Sequence, residues 1–374
     1  MNLNHRVADK NNQSNIDLVL HRIQYPLTLV IPLMVLGLSF FIVWSYFGDT
    51  WKVGSFSFVF IPLLGPWFHQ ILMQYPTLIA SIVIIFYGLG PVAFYWFVYK
   101  VTRRHFAAVL TGLFTLLPLM PISASAPERL VLALIEGDGA HIIGFTITPL
   151  ILTLFLDYER EGKHSQLLLF MLLSFIVGLI SFFSFFMLSI FLLFISASEI
   201  LISQGKIKFK RFIITIIILL LLFLAMYNVS LIQMLFSEQG RIAIAVIINL
   251  LPMTFFIVPV IGTFSFLIFD RRPVLQPLFL ALTFTITFGL LNFVRVFIIN
   301  GNFINQNRYA AEVSFALAFL VSIIVTWVFD LLRAGEILKK IPPLYNLRTQ
   351  VAFGMAGLIL IILVGSALFI PRSL

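Results

Sequence analysis

Cysteine is absent from the 374-residue chain, and charged residues make up only 10% of it. The absence of cysteine excludes disulfides. Soluble proteins contain about 25% charged residues on average, and a chain that is 61% hydrophobic cannot cover its apolar surface with so few charges. Lipid is therefore the expected solvent for most of this protein.

Several sequence signatures of soluble enzymes are missing as well. The chain has no Walker phosphate-binding sequence, no zinc signature and no nucleophile elbow. The polar N-terminal segment, residues 1–24, also lacks the charged start, apolar run and small-residue cleavage site of a signal peptide. We therefore predict that this segment is cytoplasmic and that the first apolar run is a retained helix.

Long apolar runs make up most of the remaining sequence. In lipid, backbone N–H and C=O groups must pair within the protein, which leaves helices or a closed barrel. The runs are continuous over about 20 residues and do not alternate as barrel strands do, so they predict an all-α fold, a polytopic transmembrane helical bundle of about eleven spans. The predicted spans are 25–47, 76–99, 105–122, 141–156, two within 166–203, 212–234, 242–269, 274–299, 309–332 and 351–370.

One apolar run, residues 166–203, is too long for a single crossing, because a span needs about 20 residues. We predict a break near Ser181-Phe182-Phe183-Ser184 that divides the run into two spans. This break affects the whole topology, since without it every later loop changes side and the charge bias described next disappears.

The basic residues predict the orientation of the bundle. When the spans are threaded alternately, six of the 24 Lys and Arg residues fall on one side and the other eighteen on the opposite side. Cytoplasmic loops retain Lys and Arg, so the side with eighteen is predicted to be cytoplasmic. A single transmembrane domain, residues 25–374, then has a cytoplasmic N-terminus, an extracytoplasmic C-terminus and external loops at 48–75, 123–140, 235–241 and 300–308.

The net charge of +9 does not indicate a nucleic-acid partner. The basic residues form short clusters beside apolar spans, which is typical of topology anchors that touch anionic lipid. The lipid bilayer of the cell membrane is therefore the predicted partner. The sequence leaves the oligomeric state open.

The densest polar group on the predicted external side lies where the fourth span begins, and it contains Glu136, Asp138 and His141. Two carboxylates with flanking glycines suit a tight turn that presents oxygen atoms to a divalent cation such as Mg²⁺ or Mn²⁺. His141 would add a nitrogen ligand or a base. The alternative is a polar turn that caps the span, with Asp138 near the helix N-terminus, where a negative charge is favoured.

Other external residues are further candidates. Asp49 directly follows the first span and is either a general base or metal ligand, or a solvated loop acid. Arg295 lies within the outer third of its span and needs a partner in lipid, for which Glu312 is the expected residue. Alternatively, Arg295 and Arg308 bind a phosphate group, because the planar guanidinium donates two hydrogen bonds to phosphate oxygens.

The order of these features resembles that of a known superfamily. An acid, Asp49, follows the first span, and a basic turn at 99–104 follows the second. Between them lies an external aromatic segment with two prolines, residues 60–69. The pairs Gly144-Phe145 and Pro149-Leu150 follow an acidic loop, and Asn307-Arg308-Tyr309 opens a late span. Together these features resemble the multi-pass type C glycosyltransferase (GT-C) superfamily.

The resemblance implies an enzyme that transfers a sugar from a polyprenyl-phosphate donor on the extracytoplasmic face. It implies catalytic roles for the external acids, namely Asp49, Glu136 and Asp138. The predicted substrate-binding residues are Arg129, His141, Arg295 and Arg308. Two alternatives stay open, a non-catalytic assembly protein and a lipid or solute transporter or flippase. A transporter would need a polar path near the bilayer midplane, and spans four to eight contain almost no polar residues for one.

Cysteine labelling tests the predicted sidedness without background, because the chain has no cysteine of its own. We expect Asp49→Cys and Asp138→Cys to react with a membrane-impermeant thiol reagent added to intact cells. Lys206→Cys should react only after the membrane is permeabilised. Labelling of positions 49 and 138 from opposite sides would overturn the topology and the placement of the candidate site.

Overall fold

The computed structural model describes the ranges 76–117, 138–202, 205–227, 276–298 and 309–334, with the shorter pieces 30, 32–39, 41, 74, 119 and 129. All regular secondary structure within these residues is helical, which confirms the all-α prediction for this part of the chain. The main helices are α1 (Pro76–Thr102), α2 (His105–Phe114), α3 (Gly139–Glu161), α4 (His164–Ile180), α5 (Phe182–Ile202), α6 (Gly205–Met226), α7 (Gln276–Ile298) and α8 (Ala310–Ala334).

Five of these helices, α1, α3, α5, α6 and α8, are long and apolar enough to cross a bilayer. They indicate a membrane protein, as the composition predicted. Helix α4 is apolar but has only 17 residues, or about 25 Å at 1.5 Å per residue, which is short for a hydrocarbon core about 30 Å thick. The total of eleven spans and the side on which each terminus lies stay predictions.

Helices α1, α3, α5 and α8 point in the same direction. His141, in the first turn of α3, contacts Ser184 in the first turn of α5 and Glu312 in the first turn of α8. At the opposite end of the bundle, Lys100 near the end of α1 forms an ion pair with Asp157 near the end of α3. We name the two ends of the bundle the His141 end and, after a residue near the end of α5, the Glu199 end.

Helices α2, α6 and α7 run in the opposite direction. Phe106 at the start of α2 packs on Phe329 near the end of α8. Lys208 and Gln276, at the starts of α6 and α7, both bond to Glu199.

Helix α4 also runs in this opposite direction. The Tyr227 hydroxyl, just after α6, donates a 2.6 Å hydrogen bond to the carbonyl of Gly178 near the end of α4. The relative directions of all eight helices thus agree with the alternation used to thread the sequence.

The predicted break in the long apolar run is confirmed at Ser181. Its backbone is extended (φ −145°, ψ 111°), and its N–H bonds to the carbonyl of Val177 at the end of α4. The Ser181 hydroxyl accepts a hydrogen bond of 3.2 Å from the N–H of Ser184, which caps the start of α5. Serine is a preferred residue at this position because its side chain satisfies an orphan N–H group.

Two predicted boundaries differ from the observed helix ends. Within the span expected at 105–122, α2 ends at Phe114, after which Thr115 and Leu116 form a turn. Pro118 follows closely, and a proline disfavours helix in the residue before it. The charged turn expected at 157–164 is helical to Glu161, because α3 ends only at Gly162 (φ 73°), whose left-handed backbone suits a helix C-terminus.

The basic residues concentrate at one end of the bundle. The run at 206–211, expected before the start of a span, is part of α6. Of the twelve Lys and Arg residues in the described ranges, only Arg129 and Arg295 lie away from the Glu199 end. The ten residues at the Glu199 end are Lys100, Arg103, Arg104, Arg160, Lys163, Lys206, Lys208, Lys210, Arg211 and Arg333.

An aromatic cluster around Phe315 of α8 fills the space between five helices. Its ring lies 4.6 Å from Phe94 of α1, 6.2 Å from Phe145 of α3 and 6.1 Å from Phe191 of α5, measured between centroids. Phe284 of α7 lies 6.5 Å away. Because Phe315 is three residues after Glu312, this cluster lies about one helical turn from the His141 end.

Glu199 joins four helices at the other end. Its Oε1 atom accepts hydrogen bonds from Arg160 of α3 (Nε 2.9 Å, Nη2 2.7 Å) and from Gln276 of α7 (2.7 Å). Its Oε2 atom accepts one of 2.6 Å from the Lys208 ammonium of α6. The Glu199 side chain is 4% exposed, so these charge-assisted bonds are shielded from water.

A further contact closes the end of α3. The Arg211 Nη1 atom donates a 2.6 Å hydrogen bond to the backbone carbonyl of Glu159, one of the last carbonyls of the helix. The guanidinium lies over Gly162, where a Cβ atom would be 2.3 Å from Nη2. The Glu159 side chain itself is buried, and neither of its carboxylate oxygens accepts a hydrogen bond.

Replacing Glu199 tests its role in holding the bundle together. Glu199→Ala leaves donors on three helices without their acceptor, and we expect a loss of about 3 kcal/mol or more in the free energy of unfolding. Unfolding in detergent provides the measurement. The control is Glu161→Ala, whose carboxylate pairs with Lys163 on the surface and should be replaceable without measurable effect. Equal stability of the two variants would exclude the proposed role.

Candidate functional site

His141 and Glu312 form a buried acid–base pair at the His141 end. The Nε2 atom of His141 lies 3.0 Å from Oε1 of Glu312, and both side chains are fully buried. The contact is not aligned as a hydrogen bond, and neither oxygen of Glu312 accepts one. Glu312 was expected to partner Arg295, but within the described residues its contact is with His141.

Ser184 contacts the other side of the same imidazole. Its Oγ atom lies 2.8 Å from Nδ1 of His141 and 3.2 Å from the backbone carbonyl oxygen of His141. Gly144, one turn along α3, allows this approach, because a Cβ atom there would lie 2.5 Å from the Ser184 hydroxyl oxygen. The close contact between α3 and α5 therefore requires glycine at this position.

Aromatic rings surround the pair. The His141 ring lies 5.8 Å from Phe145 and 4.8 Å from Phe183, which meets it edge to face. Phe183 in turn packs on Tyr309, just before α8, at 5.2 Å. An acid–base pair enclosed in this way interacts more strongly than it would in water.

Asp138 occupies the position just before α3, three residues before His141 in the sequence. Its side chain makes no capping hydrogen bond to the helix, although its backbone carbonyl accepts one from Ile142. Asp138 thus occupies the N-cap position of α3, near the helix N-terminus as the capping alternative predicted, but without a side-chain hydrogen bond to the helix. The residue is only 7% exposed, at a helix N-terminus whose dipole favours a negative charge.

Arg129 is the other predicted site residue that the structure describes. Its side chain is fully buried, and its Nη2 atom donates to the carbonyl of Tyr87 (3.2 Å) and the hydroxyl of Thr146 (3.1 Å). The guanidinium carbon lies 4.9 Å from the ring centre of Tyr87 and 5.2 Å from that of Phe94. Gly90 provides the space, since a Cβ atom there would be 1.9 Å from Nη2.

No acid in the part of the chain that the structure describes balances the charge of Arg129. No carboxylate forms an ion pair with it within the described residues, and its Nε and Nη1 atoms have no hydrogen-bond acceptor. Burial lowers the pKa of Arg129 to about 10, which still leaves the guanidinium charged at neutral pH. An unpaired buried cation with unused donors is a site suited to an anion.

Arg129 and His141 are neighbours but do not touch. Phe94, which underlies the Arg129 guanidinium, lies 5.3 Å from Phe145, and Phe145 packs against His141. The aromatic rings therefore separate a cationic part of the site from an acid–base part. Both parts lie toward the same end of the bundle.

The side chains of the remaining predicted site residues lie outside the described part of the chain. Asp49, Glu136 and Arg308 lie outside the described residues. Arg295 belongs to α7, close to its last residue Ile298 and so to the His141 end, but its side chain is outside the described part. Among the described residues, no group of three His, Asp or Glu side chains is arranged to hold a metal ion, so Asp138 and His141 do not form such a site with the described acids.

Sequence reasoning found His141 but missed its two partners. His141, Ser184 and Glu312 each lie in the first turn of a helix that begins at the same end of the bundle. The predicted alternation of spans already placed all three on one side. What it did not provide was the rotation of each helix about its axis, which decides whether side chains meet.

The fold and site define a helical membrane protein with a buried acid–base pair and a buried cation toward one end of its bundle. No protein-family model, curated protein or solved structure matches the chain.

Arg129 can be tested as a residue kept for binding rather than for stability. Arg129→Met removes an uncompensated buried charge, so we expect the free energy of unfolding to stay unchanged or to rise by up to about 2 kcal/mol. The matched control is Arg160→Met, which removes a cation that is paired with Glu199 and should destabilise the protein. If both variants lose the same stability, Arg129 is a structural residue.

Proposed function

We propose that the protein is a glycosyltransferase of the cell membrane that transfers a sugar from a polyprenyl-phosphate donor at the His141 end. The main support is the gathering of three predicted site residues, Arg129, Asp138 and His141, toward one end of the bundle, with Glu312 added to them. This end corresponds to the predicted extracytoplasmic face.

The reaction requires a base and a site for phosphate. A hydroxyl oxygen of the acceptor attacks the anomeric carbon of the sugar, and the bond from that carbon to the phosphate oxygen breaks. The acceptor proton passes to the base, and the polyprenyl phosphate leaves with the bonding electrons. An acid–base side chain and a cation near one another can supply both needs.

His141 and Glu312 are the proposed base. A carboxylate beside an imidazole orients the ring and stabilises the imidazolium that forms when a proton is accepted. The misaligned 3.0 Å contact is compatible with this role, because catalytic hydrogen bonds are often poorly aligned before substrate binds. Asp138, beside the same helix start, is the proposed second acid.

Arg129 is the proposed phosphate ligand. Its Nε and Nη1 atoms still have hydrogen bonds to donate, and these are the donors that a planar guanidinium offers to phosphate oxygens. The phosphate gains negative charge as the sugar leaves, so a fixed cation stabilises the transition state more than the bound donor.

Helix α3 gives no support for the transport alternative. Between its two ends, the hydroxyls of Thr148 and Thr153 bond to carbonyls of their own helix, and Thr146 bonds to the carbonyl of Phe86. Ile151 and Leu152, near the middle of the helix, are buried and apolar. Polar groups on α3 that are bonded within the protein, and apolar residues at its middle, fit a reaction at one face of the membrane better than passage of a polar solute across it.

Reconstituted protein tests the proposal. We expect purified protein in liposomes, supplied with polyprenyl-phosphate and polyprenyl-pyrophosphate sugars and a membrane extract as acceptor, to release the lipid phosphate. Glu312→Gln and Asp138→Asn should each lower the rate by about 100-fold or more, the usual contribution of a general acid or base.

The matched control is Asp157→Asn, which changes an acid near the far end of α3, away from Asp138. We expect this variant to retain the activity of the wild-type protein. Unchanged rates in both test variants would remove the catalytic assignment. Absence of release from every donor by the wild-type protein would reject the glycosyltransferase itself.

A further inference from the structure

We propose that Ser184 is a positioning residue that holds His141 with a proton on Nδ1 and so presents Nε2 to Glu312. The role of this arrangement in catalysis rests on the proposed function. The position of the proton follows from the contacts of the folded protein alone, and it is tested without a substrate.

The Ser184 hydroxyl has a single hydrogen atom and two neighbours that can accept it. Nδ1 of His141 lies 2.8 Å from Oγ, and the backbone carbonyl of the same residue lies 3.2 Å away. If the hydrogen atom points to Nδ1, then Nδ1 carries no proton (it is bare) and accepts the hydrogen bond. If it points to the carbonyl, the hydroxyl oxygen can accept a hydrogen bond from a protonated Nδ1.

The surroundings favour the second arrangement. A bare Nδ1 requires the Ser184 hydrogen atom to point at the ring, and Oγ would then face the carbonyl oxygen, 3.2 Å away, without a hydrogen atom between the two oxygens. With a proton on Nδ1, the Ser184 hydrogen atom points to the carbonyl instead, and both contacts of Oγ are hydrogen bonds.

The position of Ser184 is itself fixed from two sides. Ser181 accepts the hydrogen bond of the Ser184 backbone N–H at the start of α5, and Gly144, which has no Cβ, leaves space for the Ser184 hydroxyl against α3. Both serines are buried, at 3% and 1% exposure for Ser181 and Ser184. The break that divides the long apolar run thus also supplies the partner of the histidine.

Nitrogen-15 NMR of histidine-labelled protein in lipid tests the arrangement directly. The chain has six histidines, and loss of one signal set in His141→Asn assigns the resonance. We expect the wild-type spectrum to show a protonated Nδ1 for His141. In Ser184→Ala the His141 signals should shift, because Nδ1 loses its acceptor, and Ser184→Thr should restore them by keeping a hydroxyl.

The control is Ser189→Ala, which removes a hydroxyl five residues beyond Ser184 on the same helix, where it bonds to the Phe185 carbonyl. It should leave the His141 signals in place even if it lowers stability. A bare Nδ1 in the wild-type protein, or identical His141 signals in Ser184→Ala, would overturn the proposal. Because the readout uses no donor lipid, it stands or falls separately from the transferase activity.

Discussion

The bundle depends on one constraint, namely that polar groups withdrawn from water must find partners within the protein. Glu199 meets this constraint for four helices at once, since donors from α3, α6 and α7 converge on a carboxylate carried by α5. These bonds fix how the helix ends are arranged at that side of the membrane. The apolar contacts around Phe315 then fill the space between helices whose ends are already set.

The two ends of α3 obey this constraint to different degrees. At the Glu199 end, Arg160 donates hydrogen bonds from Nε and Nη2 to Glu199 and from Nη2 also to Gln276. Toward the His141 end, Arg129 keeps unused donors and Glu312 keeps unused acceptors. Buried groups left in this state are costly, and natural proteins retain them chiefly where function requires it. The Glu159 carboxylate, near the Glu199 end, also lacks hydrogen bonds, so the Glu199 network satisfies most but not all of the buried polar groups around it.

The sequence could predict features set by local physics. The segment from Ser181 to Ser184 predicted the break between α4 and α5. The alternation of apolar runs predicted the relative directions of the helices. It mispredicted the end of α3, because five charged or aromatic residues from Asp157 onward suggested a loop where the packed bundle supports a helix. It did not predict the contact of Glu312 with His141, since side-chain partners depend on helix rotation, which one sequence does not reveal.

The single residue that links α4 to α5 restricts how the structure can open. One extended residue spans only about 3.5 Å, so these two helices stay together at the His141 end. Helix α3 is held to α5 there by Ser184. Helix α8 has no such tether among the described residues, and its Glu312 meets the histidine through a contact that is not aligned as a hydrogen bond. At the His141 end, α3, α4 and α5 therefore form a fixed frame, and the contact between this frame and Glu312 of α8 is the one that can separate with the smallest loss of hydrogen bonds.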